Sequence, residues 1–176
     1  MKDLGLLLQR VVIGGFLAGH GSQKLFGWFS GPGPEGTAGF LESIGMKPGD
    51  RWAFAAGASE FLGGSLTALG FLWPLGPITA MAPMGMAAGT VHWGKPIWAT
   101  KGGAELPVTN LAVVTSLVMT GPGRISVDRL LRVRMPWQLT AVTGLGVVGG
   151  VALGLYNSRK HHPEPSAEPE AEAASA

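Results

Sequence analysis

Seven polar side chains stand out against apolar surroundings and are the candidates for binding chemistry: Arg10, His20, Gln23, Lys24, Glu60, His92 and Glu105. Two of them carry opposite charges inside apolar stretches. Glu60 is the single charged residue between Trp52 and His92, and Arg10 interrupts the apolar N-terminal stretch. A charge at the centre of a membrane helix costs at least about 2.5–3.5 kcal/mol, so such residues pair or line a wet cavity. Counted from Arg51 and His20, Glu60 and Arg10 lie about 13–15 Å inside, which suggests an ion pair between them. The functional expectation is a polar pocket with Glu60 and Arg10 at its floor. The plainer alternative is a buried pair that fixes helix register. Singly, His20 and His92 read as caps at helix C-termini and Lys24 as a snorkelling cation. Their placement on one side of the molecule raises their joint interest.

Other chemistries are excluded or unsupported. With no cysteine, the chain forms no disulfide, thiolate metal site or thiol redox couple. The four histidines lack a metal-binding spacing such as HExxH, so no metal is expected. A formal net charge of +2, without a basic stripe interleaved with aromatics, argues against nucleic acid.

The elements that hold these residues are membrane helices. Charged residues make up only 14% of the chain, well below the ~25% usual in soluble domains. Uncharged stretches run from Leu106 to Thr120 and from Trp137 to Tyr156. About 20 apolar residues suffice to span a bilayer. The long stretch from Trp52 to His92 is broken by Trp73-Pro74-Leu75-Gly76-Pro77, so it reads as two antiparallel helices with a tight turn. The expected helices are Leu4–Ala18, Trp52–Leu72, Ile78–Val91, Leu106–Gly121 and Trp137–Tyr156. The stretch Gly36–Ile44 is expected to lie at the interface or re-enter the bundle. Trp52, Trp73, Trp93, Trp137 and Tyr156 fall at segment ends, as an aromatic belt requires. The fold expected is an all-α bundle in the cell membrane, multi-pass, in contact with the lipid bilayer. The stretch 157–176 is rich in Pro, Glu and Ala and is expected to be a disordered tail.

Alternating helices sort the loops. With the N-terminus on side A, His20 to Arg51 and His92 to Glu105 fall on side B, and Pro122 to Pro136 falls on side A. Arg124, Arg129, Arg132 and Arg134 crowd into that one side-A loop, which favours a cytoplasmic side A. Gly146, Gly150 and Gly154 form a fourfold-spaced stripe suited to close packing within the chain or to a homo-oligomer contact.

Several motifs resemble those of the DoxX family of membrane proteins. They are His20-Gly21-Ser22-Gln23-Lys24-Leu25-Phe26-Gly27-Trp28-Phe29 followed by Gly36-Thr37-Ala38, then Ala56-Gly57-Ala58-Ser59-Glu60-Phe61-Leu62-Gly63-Gly64. Further on stand Gly102-Gly103-Ala104-Glu105-Leu106-Pro107 and Gly121-Pro122-Gly123-Arg124-Ile125-Ser126-Val127-Asp128. The similarity covers roughly residues 4 to 130. It implies a four-helix membrane domain over 1–130, which this chain extends with a fifth apolar helix at 137–156 and the tail. It also implies a subunit of a membrane oxidoreductase, quinone-linked and tied to sulfur or oxidative-stress chemistry. On that reading the pocket binds a non-covalent quinone or a small anion. Lys24 and Arg10 would hold negative charge, and Glu60, His20 and His92 would move protons. The alternative is a non-catalytic membrane partner that recruits or assembles other proteins in a complex.

Overall fold

Glycine placement decides how this chain packs. In the computed structural model, which describes residues 1–161, two long helices meet along a glycine seam. They are α1 (Lys2–Phe26) and α3 (Gly49–Leu69). A Cβ added at Gly14 would lie 2.5 Å from Ala68 N, and one at Gly21 would lie 2.3 Å from Phe61 N. Gly64 and Gly57 face back from α3, so the two backbones approach as only glycine permits, and the helices run antiparallel. The other face of α3 packs on α4 (Leu75–Gly89), again antiparallel, through Gly63 against Ala80 and Gly76 against Thr67.

Around this centre stand α2 (Gly33–Ser43), α5 (Glu105–Thr120), the short α6 (Val127–Leu131) and α7 (Trp137–His161), with no strand among the described residues. The buried core joins α1, α4 and α5 through Leu17, Ala80, Met84 and Val114. Gly85 meets Val151 and Gly89 meets Leu155, so α7 runs parallel to α4. The start of α1 and the end of α7 therefore lie at opposite ends of the bundle, sides A and B.

The outer surface is apolar. Leu8, Phe16, Phe54, Leu62, Leu106, Val142, Leu145 and Val148 are all exposed, a surface that lipid rather than water accommodates. Two helices, α1 and α7, are long and apolar enough to cross a bilayer. A core helix of a soluble protein would be mostly buried, yet only 6% of the α7 window is.

The helices differ from expectation at their ends. The first does not stop at Ala18 but continues to Phe26, so His20, Gln23 and Lys24 lie on α1 itself and not in a loop. The tertiary seam at Gly21 holds this polar, glycine-rich stretch helical, and the Ser22 hydroxyl donates back to Gly19 O at 2.7 Å. Helix α3 ends at Leu69 rather than Leu72, because Gly70 takes a left-handed conformation at φ 61 and caps it. The expected interfacial segment is the helix α2, packed on α3. Helix α7 continues through Asn157 and Ser158 to His161, so those residues are not tail. The rest of the expected tail, 162–176, lies outside the described residues.

Candidate functional site

Gly57 also makes room for Lys24. A Cβ at Gly57 would lie 2.8 Å from Leu25 Cγ and 3.2 Å from Lys24 Cβ, so this end of α1 sits close on α3, and the Lys24 ammonium pairs with the Glu60 carboxylate. Glu60 lies about 16 Å along α3 from Gly49 and is only 3% exposed. Lys24 thus reaches inward to satisfy a buried carboxylate instead of snorkelling to the surface.

This ion pair lines one part of a half-open cavity of about 430 Å³ between α2, α3, α4 and α7. Its walls are Leu41 and Ile44 from α2, Trp52, Ala56 and Ser59 from α3, Pro83, Met86 and Thr90 from α4, and Gly146, Val147 and Gly150 from α7. Among the described residues, Lys24 and Glu60 are the only charged ones lining it. The side-B rim is pinned by hydrogen bonds. Lys47 N donates to Asn157 Oδ1 at 2.8 Å, the Ser158 hydroxyl donates to Ile44 O at 2.7 Å, and Gly49 N donates to Glu42 Oε1 at 3.0 Å. An apolar cavity of this size with one polar anchor fits a small molecule that has an apolar body and a carbonyl or hydroxyl head. Lys24 offers the donor and Glu60 the acceptor.

The expected pairing of Arg10 with Glu60 does not form. The seam sets Arg10 opposite Ala68, about 12 Å further along α3 than Glu60. Its guanidinium donates to Ala68 O at 3.3 Å and to Ile125 O, and the side chain is fully buried. The matched depth was counted from His20 as the end of the first helix, whereas α1 continues to Phe26. Asp128 holds the same end. Its carboxylate accepts from Leu72 N at 2.9 Å and Trp73 N at 2.7 Å, and its own N–H donates to Gly70 O at 3.1 Å. These contacts lock the segment after α5 onto the turn between α3 and α4.

The remaining candidates are dispersed. His20 Nδ1 and Gln23 Oε1 meet at 3.1 Å in a separate recess beside Trp28. His92 Nδ1 bonds Gly102 O at 2.7 Å, and Glu105 accepts from Ala99 N at 2.8 Å, so both brace the loop between α4 and α5. The pocket is therefore not the polar cluster expected, but an apolar cavity holding Lys24 and Glu60. The residues missed were the small ones that shape it. Ala55, Ala56 and Ser59, and then Thr79, Ala82, Pro83, Met86 and Thr90, recur at helical spacing and carried that signal. Gly154 is buried against Met86 and Trp52, whereas Gly146 and Gly150 border the cavity. Among the described residues, no group of three or more His, Asp or Glu side chains is placed to hold a metal.

A helical bundle with an apolar exterior and helices of bilayer-crossing length is a membrane-associated protein. The chain belongs to the DoxX family, whose family model matches residues 5–93, just over half of its length. The matched part runs from α1 through α4 and includes Lys24, Glu60 and three of the four cavity walls; α7 lies beyond it. No curated protein and no solved structure matches the chain.

Proposed function

We propose that this chain is a multi-pass cell-membrane subunit of an oxidoreductase. In this reading the cavity between α2, α3, α4 and α7 binds a quinone without a covalent bond. The observation that carries the reading is the Lys24–Glu60 pair set into a cavity otherwise lined mostly by apolar side chains. The ring and isoprenoid chain would fill the apolar volume. Lys24 would donate to a quinone carbonyl, and Glu60 would accept a proton from the reduced ring or deliver one to it. Helices α1, α3, α4, α5 and α7 would cross the bilayer, with α2 at its side-B surface.

The test is a lipid extract of the purified protein, compared between wild type and Glu60→Gln. Quinone at near-stoichiometric amount in wild type, falling at least tenfold in the variant, supports the reading. Wild type without quinone but with a stoichiometric protein partner would replace it with the recruiting or assembling role.

A further inference from the structure

The side-A end holds a second, chemically different cavity. It is larger, about 1280 Å³, and lies between the α1–α3 seam and the segment that follows α5. Its wall toward the bundle is apolar, formed by Leu7 and Val11 of α1 and Leu69 of α3. Its outer lip is basic, formed by Arg124, Arg129, Arg132 and Arg134, all exposed. The two acids at this end are already engaged by backbone: Asp3 accepts from Arg124 N at 2.8 Å, and Asp128 accepts two amides. Among the described residues, none of the four guanidiniums makes an ion pair. Trp73 also lines this cavity, and its indole N–H is buried without an acceptor. A buried donor of this kind ordinarily has a partner.

We infer that this cavity seats an anionic phospholipid of the side-A leaflet, with the phosphate on the arginine lip and the upper acyl chain against Leu7, Val11 and Leu69. The form of the cavity carries the assignment, because it is apolar toward the bundle and basic toward the membrane surface. A soluble phosphate would leave the apolar wall uncovered, and a zwitterionic lipid would forgo net attraction to the lip. Basic recesses at the ends of membrane helices bind anionic headgroups in this way. The inference rests on the bilayer-spanning arrangement proposed above, but not on what the other cavity binds.

The experiment is thermal unfolding and native mass spectrometry of the full chain in a neutral detergent. Phosphatidylglycerol, phosphatidylcholine and inorganic phosphate are added separately. Phosphatidylglycerol should raise the melting temperature and give a one-lipid adduct, while phosphatidylcholine and phosphate should do neither. The double variant Arg132→Gln/Arg134→Gln removes charge from exposed positions and should weaken the phosphatidylglycerol adduct at least tenfold without lowering the lipid-free melting temperature. Trp73→Phe, which keeps the ring and removes the N–H, should weaken it several-fold. Equal shifts from the two lipids, an equal shift from phosphate alone, or an adduct indifferent to the arginine substitutions would each overturn the inference.

Discussion

The two ends of the bundle bury charge for different purposes. On side A, Arg10 and Asp128 are held by backbone: carbonyls of Ala68 and Ile125 for one, amides of Leu72 and Trp73 for the other. Toward side B, Lys24 and Glu60 satisfy each other and border a void. A charge held by backbone stitches chain segments that are distant in sequence. A charge pair beside an empty volume retains hydrogen-bonding capacity for a guest. Buried charge in a membrane protein is thus not one kind of signal, and what surrounds it decides its meaning.

The comparison is broken most severely at the stitched end. Asp128→Ala leaves two amides without an acceptor and should cost about 2–4 kcal/mol, read as a large drop in melting temperature in detergent. Arg10→Ala should cost a similar amount. If either variant melts like wild type, side A is not the structural lock described. Glu60→Ala should cost less, about 1–2 kcal/mol, because the Lys24 side chain is 28% exposed and can turn to the surface. Its main effect should be loss of the small molecule proposed to bind there, so a variant that retains such a molecule and is as unstable as Arg10→Ala would reverse the contrast.

Coupling sharpens the distinction. Arg10→Gln and Glu60→Gln should add within about 0.5 kcal/mol, since their sites are more than 10 Å apart, whereas Lys24→Ala and Glu60→Gln should be non-additive by at least that much. A double-mutant cycle on urea unfolding reads both. His92→Ala removes one loop hydrogen bond and should cost about 0.5–1 kcal/mol. The smallest effect is expected from deleting 162–176, which has little apolar surface to bury; the melting temperature and yield should hardly change.

Much of the bundle was legible in the residues. The breaks at Trp73–Pro77 and Gly121–Gly123, and the sorting of loops onto two sides, follow from proline, glycine and uncharged length. The end of α1 was not legible, because its last two turns are polar and glycine-rich and are helical only through contact with α3. The Arg10–Glu60 pairing failed for the same reason, since depth was measured from an end that does not exist. The acid Glu60 and the base Lys24 were both identifiable as candidates. Their partnership was not, because it depends on Gly57 letting the end of α1 sit close on α3. The cavity was least legible of all, being the space left by small residues on four helices.

That cavity has an order of construction. Three walls come from α2, α3 and α4, and the fourth, α7, follows them along the chain. Until α7 has been made, the Glu60 side of α3 is uncovered on that flank. Arrival of α7, tied down by Asn157 and Ser158 at its far end, turns a shallow groove into a half-open recess. On the proposed reading, a hydrophobic guest therefore meets least obstruction before α7 docks.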